Sequence, residues 1–157
     1  MSNNSKISVK GGVSDFSKQS KNEVKIKTSN FFLTINTNQS YKNGDPNIEA
    51  DTEVFDGVIS NMLNHIDEYV NLPEGDTFEN DVINADVDYI VELGTKQRAL
   101  HAHIYLKFTH NTNLKLDFKK MKQYVCDQLG LPNLFFSNRV VRGGNQSVLD
   151  YLNKYSK

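Results

Sequence analysis

Residues 98–108 read RALHAHIYLKF, and this stretch decides the fold. From Leu100 to Phe108 every second residue is apolar, and most of the residues between them are polar. Successive side chains of a strand point to opposite faces, so the alternation predicts a strand with one face packed against a core. His101 and His103 then share the other face. Two imidazoles on one strand face are either solvated polar residues or metal ligands, and the stretch alone leaves both interpretations open.

On either side of this strand the chain alternates between strand and helix patterns. The patterns predict strands over residues 30–38, 87–94, 100–108 and 134–142, and helices over residues 52–69, 117–129 and 147–155. We expect Asp51 or Thr52 to cap the first helix and Gly130 to end the second. The order β-α-β-β-α-β-α favours an α+β fold, in which helices pack on one antiparallel sheet in the ferredoxin-like manner.

Length and composition set the class of protein. The chain has 157 residues, of which 38% are apolar and 24% charged, as in one ordinary globular domain. No apolar run approaches the ~20 residues of a membrane span, and the N-terminus lacks a signal-peptide core. We therefore expect an intracellular protein that does not enter a membrane. The single cysteine, Cys126, excludes an internal disulfide and a multi-cysteine zinc site.

Charge is distributed unevenly, although the net charge is −1. Residues 28–92 carry one lysine against fourteen acids, whereas residues 93–157 carry eleven Lys or Arg against three acids. A basic segment beside an acidic one is typical of a polyanion-binding face, although such charges can also intermix on a folded surface. Residues 1–27 have six lysines and no sustained apolar period. They predict a disordered basic tail, with residues 28–157 as the folded domain.

Glu92 is a candidate third ligand beside the two histidines. It ends the preceding strand, which a short turn joins to the strand of His101. In such a hairpin, cross-strand neighbours lie about 5 Å apart. Two imidazoles and a carboxylate suit Mn²⁺ and also accept Mg²⁺ or Zn²⁺. A polar outer face of the sheet is the alternative for His101 and His103, and the position of Glu92 strengthens the metal interpretation.

Two further stretches carry chemistry. In YLNKYSK, residues 151–157, Tyr151 and Lys154 are three apart on a predicted helix and share a face. A metal that polarises the electrophile and a lysine that favours the phenolate would activate such a tyrosine, whose pKa is ordinarily near 10. Packing and solvation are the alternative. In FFLTINTN, residues 31–38, Thr34 and Asn36 share a face that can hydrogen-bond to bases or phosphates, or else belong to a core strand.

Together these stretches resemble the motifs of HUH endonucleases, within them the replication initiator (Rep) nuclease domains of circular single-stranded DNA viruses. FFLTIN matches the strand motif FxLT-x-N, and HAH matches His-hydrophobic-His. Tyr151 and Lys154 match Tyr-x-x-Lys, and Glu92 stands nine residues before His101, as a glutamate does upstream of the histidines in these Reps. The three motifs follow in the family's order across residues 30–155.

The resemblance implies a ferredoxin/RRM-like HUH nuclease fold and a metal-dependent endonuclease and nucleotidyltransferase. Glu92, His101 and His103 would hold Mn²⁺ or Mg²⁺. Tyr151, helped by Lys154, would attack a phosphate in single-stranded DNA and form a 5′-phosphotyrosine link. Nicking and rejoining at an origin stem-loop would then initiate rolling-circle replication.

The resemblance extends to the DNA contacts and to the C-terminus. Thr34 and Asn36 are the expected DNA-binding residues of the first motif. Tyr155 lies one helical turn after Tyr151, the spacing of two-tyrosine HUH enzymes, which makes it a candidate second nucleophile. Packing beside Leu152 is the alternative that we favour for Tyr155.

The family also suggests a biological context. Viral Reps commonly continue into a helicase domain, and this chain has no phosphate-binding loop of the GxxxxGK[ST] type, so we expect a nuclease domain separated from its helicase. A self-standing enzyme is the alternative. A full-length protein could form oligomers, although the sequence does not fix the oligomeric state, and a eukaryotic virus would place the protein in the host nucleus. The remaining alternatives are an HUH-type transposase and a non-catalytic single-stranded nucleic-acid-binding domain.

Overall fold

The computed structural model describes residues 3–10 and 25–140, with side chains from residue 25 to residue 139. The strands are β1 (Asn3–Lys10), β2 (Lys27–Ser40), β3 (Val70–Asn71), β4 (Val82–Leu93), β5 (Ala99–His110), β6 (Lys115–Leu116) and β7 (Phe135–Val140). The helices are α1 (Ile48–Asn64), α2 (Phe78–Asp81) and α3 (Phe118–Leu129), and a 3₁₀ turn covers Ile66–Tyr69. The predicted α+β class with an antiparallel sheet is confirmed.

Five strands form one antiparallel sheet in the order β1-β4-β5-β2-β7. β5 lies between β2 and β4, and because it runs antiparallel to both, β2 and β4 run parallel to each other. The two-residue strands β3 and β6 pair separately. The predicted hairpin is therefore the β4–β5 pair, at the centre of the sheet.

One face of the sheet forms the hydrophobic core with α1 and α3. The alternation in β5 places Leu100, Ala102, Ile104, Leu106 and Phe108 on this face, as predicted. They pack with Leu33 and Ile35 of β2, Val87, Tyr89 and Val91 of β4, Phe55, Ile59 and Met62 of α1, and Met121 and Val125 of α3. The remaining side chains of β2, β4 and β5 must point to the opposite face.

The prediction of a disordered tail does not hold for residues 3–10, which form β1. This strand pairs with β4 over eight residues, from Asn3 opposite Val91 to Lys10 opposite Asn84. The pairing partner is some eighty residues away in the sequence, so local composition carries little sign of it. Residues 11–24 lie outside the described part of the chain.

Helix boundaries agree with the sequence at α3 and differ at α1. Asp117 caps α3 by accepting a hydrogen bond from the Lys120 N–H, and Gly130 ends the helix in the left-handed conformation, at φ 66°. α1 begins at Ile48, so the predicted caps Asp51 and Thr52 are wrong. They lie inside the helix, where the negative charge of Asp51 is favourable in the first turn.

The C-terminal helix predicted over residues 147–155 lies outside the described residues. The strand predicted over residues 134–142 corresponds to β7, which ends at Val140, the last described position. Within the described residues, no helix is both long enough and apolar enough to cross a bilayer.

Substitution of Ile104 tests how much the core at the centre of the sheet contributes to stability. Ile104 is fully buried and lies between Leu33 and Tyr89 in the strand register. We expect Ile104→Ala to lower the free energy of unfolding by about 2–5 kcal/mol, because the substitution leaves a cavity that a sheet centre closes poorly. Urea unfolding measures this loss. Val54→Ala, at a position 57% exposed on α1, serves as the control and should cost far less.

Candidate metal centre

The sheet face away from the helices carries mostly polar side chains, and we call it the polar face. Directly opposite residues of paired strands share a face. Three rows cross it from β7 to β4: Phe135–Asn36–His101–Glu92, Ser137–Thr34–His103–Ile90 and Arg139–Phe32–Tyr105–Asp88. The predicted metal ligands thus occupy neighbouring positions of two adjacent strands.

Glu92, His101 and His103 form a tight cluster on the polar face. Their ligand atoms all lie within 4.8 Å of one another. His101 Nε2 lies 2.9 Å from Glu92 Oε1, and the two imidazole centroids are 4.9 Å apart. The side chains of His101 and Glu92 are 15% and 13% exposed, and His103 is 9% exposed. These three residues come together as the sequence predicts, and the cluster could hold a metal ion.

The β4–β5 turn holds His101 in position. The Gly94 N–H donates to the Ala99 carbonyl oxygen at 2.9 Å, and the same oxygen lies 3.3 Å from His101 Nδ1. An Nδ1–H donated to this carbonyl directs Nε2 towards Glu92, the orientation that a metal-binding histidine requires. The turn is tied to the chain after β2, because the Tyr41 N–H donates to the Arg98 carbonyl and Arg98 Nε donates to the Tyr41 carbonyl.

His103 is more buried than His101. Phe32 stacks on its ring, with centroids 5.6 Å apart and an interplanar angle of 10°. Burial, and secondarily the neighbouring His101, lowers the pKa of His103 to about 4. His103 is therefore neutral near pH 7, and the neutral imidazole is the form that binds metal ions.

The two predicted DNA-binding residues have partners within the protein. Thr34 Oγ1 lies 3.3 Å from His103 Nδ1, so its hydroxyl can orient this imidazole as a support for the metal site. Asn36 Oδ1 accepts a hydrogen bond from the Asn38 N–H at 2.8 Å. This contact stabilises a turn at Asn38, whose φ is 57°, where the β2–β5 register shifts. Both side chains lie beside the cluster on the polar face.

Three other predicted site residues lie outside the described part of the chain. They are the candidate nucleophile Tyr151, the candidate second nucleophile Tyr155, and Lys154. Their positions relative to the cluster stay predictions.

The sequence analysis missed aromatic and cationic residues of the polar face. Phe32 stacks on His103, and the Arg139 guanidinium carbon lies 5.7 Å from the Phe32 ring centroid. Phe135 lies in the same row as His101. Phe32 could have been found, because the alternation that pairs Thr34 with Asn36 also places residue 32 on their face. Phe135 and Arg139 required the β2–β7 register, which local sequence does not give.

The donor set fits a divalent cation. Two imidazole nitrogens and one carboxylate oxygen can occupy part of a coordination sphere and leave positions for substrate oxygens. His101 Nε2 and Glu92 Oε1, which lie 2.9 Å apart, are close enough to bind the same ion. The carboxylate also supplies negative charge in a partly buried site.

Replacing Thr34 with valine should weaken metal binding without unfolding the protein. The substitution keeps the side-chain shape and removes the hydroxyl beside His103, and loss of such a support typically costs about 10- to 100-fold in metal affinity. Calorimetric titration with Mn²⁺ measures the loss. Thr28→Val, on the same strand and exposed, is the matched control. Equal Mn²⁺ affinity in the wild type and in Thr34→Val would show that Thr34 does not support the site.

Acid should destabilise the metal-free protein through His103. The unfolded chain binds a proton at His103 below pH 6.5, whereas the folded chain resists protonation down to about pH 4. The free energy of unfolding should therefore fall as the pH decreases from 6.5 to 4, by about 2 kcal/mol after solvent screening is allowed for. Urea unfolding at each pH measures the slope. His103→Asn should show a shallower slope, and an identical slope would refute this assignment.

Neither a protein-family model nor a curated protein matches this chain.

Proposed function

We propose that this protein is a metal-dependent nuclease that nicks and rejoins single-stranded DNA through a covalent tyrosine intermediate. The observation that carries the proposal is the cluster of Glu92, His101 and His103, whose ligand atoms lie within 4.8 Å of one another. The HUH resemblance adds the substrate and the nucleophile. On this proposal the nick lies at a replication origin and begins rolling-circle replication.

The arrangement of the sheet supports the HUH assignment. The elements β2-α1-β4-β5-α3-β7 follow the β-α-β-β-α-β order of ferredoxin-like domains, and their four strands lie in the order β4-β5-β2-β7. The helices pack on one face, and the candidate metal ligands lie on the other. A nucleic acid that reached these ligands would lie across the sheet face, as in RRM-type domains.

Mn²⁺ suits the ligand set better than Mg²⁺. Mg²⁺ prefers an all-oxygen, octahedral environment, whereas Mn²⁺ accepts mixed imidazole and carboxylate ligands. When bound by Glu92, His101 and His103, the ion supplies Lewis-acid polarisation of the scissile phosphate. The neutral state of His103 near pH 7 supports this role, because no proton must leave its ring before it binds the ion.

Tyr151 carries the covalent step in this proposal. Its phenolic oxygen loses its proton and attacks phosphorus, forming the tyrosyl phosphate ester while the bond from phosphorus to the 3′ oxygen breaks. The departing 3′ oxygen takes up a proton and becomes a 3′-OH. The ammonium group of Lys154, one helical turn away in the predicted helix, favours the phenolate form of Tyr151. Because one phosphoester replaces another, the reverse attack by a 3′-OH rejoins the strand.

Formation of a covalent protein–DNA adduct tests the proposal. The full chain should be incubated with single-stranded DNA that carries a library of stem-loops, with Mn²⁺ or with EDTA, and resolved on a denaturing gel. We expect an adduct only with Mn²⁺ and only with single-stranded DNA. If the wild type binds such DNA and yet forms no adduct with any member of the library, the proposed enzyme is refuted.

Binding of single-stranded DNA without any adduct would favour the second candidate function, a non-catalytic single-stranded nucleic-acid-binding domain. The observation behind this alternative is the pair of Phe32 and Arg139 on the polar face, since aromatic and cationic side chains on a sheet bind bases and phosphates. A binding domain would tolerate the loss of Tyr151 without any change in DNA affinity.

A further inference from the structure

Phe135 stands out among the aromatic residues of the described chain. It is 49% exposed, and within residues 25–139 no other phenylalanine or tyrosine is exposed. Its neighbour Phe136 packs against the hydrophobic core, so the alternation of β7 holds the Phe135 ring on the polar face. An aromatic ring is therefore kept in solvent by a strand whose other face is anchored in the core.

The position of Phe135 relates it to the candidate metal centre. It lies opposite Asn36, which lies opposite His101, so one row of the sheet joins the exposed ring to a metal ligand. Two strand spacings separate Phe135 from His101, a distance of about 10 Å, which about one or two nucleotides of a single strand can cover. A base one or two nucleotides from the scissile phosphate can therefore reach the ring.

The side chains around Phe135 suit a nucleic acid strand. Ser137 and Arg139 follow it on the same face of β7, with a hydroxyl and a guanidinium group for phosphate contacts. Arg139 also lies over the Phe32 ring, a contact that orients the guanidinium group. β7 is an edge strand of the sheet, and the positive charge of Arg139 on it favours a polyanion along this edge.

We propose that Phe135 is a base-stacking subsite for single-stranded DNA beside the Glu92–His101–His103 cluster, with Ser137 and Arg139 as phosphate contacts. This inference rests on the proposed function for the identity of the substrate. The ring of Phe135 stacks on a base close to the scissile phosphate and so helps to set where the strand is cut. Stacking is tolerant of base identity, so the subsite positions the strand, and its contribution to sequence choice is small.

A tryptophan introduced at position 135 reports stacking directly, because the natural chain contains no tryptophan. Phe135→Trp should be titrated, without a divalent ion, with oligo-dA and oligo-dT of about 12 nucleotides, a length within the range that one small domain covers. We expect saturable quenching of its fluorescence by the single strands, and little quenching by a duplex. Val54→Trp, at a similarly exposed position on α1, should not be quenched. Unchanged fluorescence of the Phe135→Trp variant at DNA concentrations that saturate binding would overturn the proposal.

Affinity measurements with labelled oligonucleotides give a second readout. Phe135→Ala should weaken single-strand binding by about 5- to 100-fold, Phe135→Leu by nearly as much, and Phe135→Tyr by little, because stacking requires an aromatic ring. An oligonucleotide with an abasic site at the stacked position should remove the difference between Phe135→Ala and the wild type. Equal affinities of Phe135→Ala and the wild type for the intact strand would refute the subsite.

Adduct formation separates this proposal from the proposed enzyme. If the wild type forms the adduct and Phe135→Ala binds DNA normally, the subsite fails and the enzyme stands. If no adduct forms and Phe135→Ala still loses affinity, the subsite stands in a binding domain. The titrations should be repeated with RNA of the same sequence, and tighter binding of RNA than of DNA would overturn the assignment of DNA as the ligand.

Discussion

Tyr151→Phe should abolish the covalent protein–DNA adduct, while leaving single-strand DNA affinity and thermal stability unchanged. Phenylalanine keeps the ring and removes only the oxygen that would form the ester, so packing and base contacts survive. The rate of adduct formation should fall by at least about 10³-fold, since loss of a nucleophile removes the covalent path altogether. Denaturing gels of Mn²⁺ reactions with single-stranded DNA measure the loss.

Tyr155→Phe is the matched control for Tyr151→Phe, because it removes the same atom from a tyrosine four residues further along the sequence. We expect it to form the adduct at close to the wild-type rate, as a packing residue would. If the adduct forms in Tyr151→Phe and is lost in Tyr155→Phe, the nucleophile is Tyr155. If both single variants form adducts and the double variant does not, the protein has two nucleophiles.

The second large effect is expected of His103→Ala, which should lose cleavage and keep DNA binding. The substitution removes one of three candidate ligands, and Mn²⁺ affinity should fall by more than the roughly 10- to 100-fold that indirect supports contribute. DNA affinity should change little, because the proposed contacts to phosphates and bases come from other side chains. Adduct assays and binding titrations on the same preparation separate the two effects.

Two further variants test whether His103→Ala loses cleavage merely because the protein unfolds. Glu92→Gln keeps the shape of a ligand side chain and removes its charge, so it should lose Mn²⁺ binding and cleavage without a cavity. His65→Ala removes an exposed imidazole at the end of α1 and should leave both activities intact. Wild-type cleavage by folded His103→Ala would refute its assignment as a ligand.

The sequence was most informative where structure is local. The β5 alternation alone put His101 and His103 on one face, and the short β4–β5 turn brought Glu92 opposite His101. Both inferences depend on side-chain alternation and on a hairpin, whose pairing is set by nearby residues. For the same reason the left-handed Gly130 correctly marked the end of α3.

Pairing between distant strands could not be predicted from local patterns. β1 pairs with β4 across some eighty residues, and its polar composition resembles that of a disordered tail. The early start of β4 was missed because Asn84 and Asp86 resemble loop residues, although they alternate with the buried Ala85 and Val87. The place of Phe135 beside the cluster depends likewise on the β2–β7 register.

Thr34 was predicted from the sequence as a site residue, but its contact with His103 was not predicted. The motif marked it as a DNA contact, whereas its hydroxyl lies 3.3 Å from His103 Nδ1. The β2–β5 register that places residue 34 opposite residue 103 follows from the paired core residues Leu33 and Ile104 on the other face. Packing on one face of the sheet therefore determines which polar residues meet on the other.

Mn²⁺ binding to the purified full chain tests the candidate metal centre most directly. Titration followed by the electron paramagnetic resonance of Mn²⁺, or by calorimetry, should give one ion per chain near pH 7. The ion should be lost in Glu92→Gln, His101→Ala and His103→Ala, and retained in His65→Ala. No binding by the wild type, or binding that all three ligand variants retain unchanged, would contradict a metal centre at Glu92, His101 and His103.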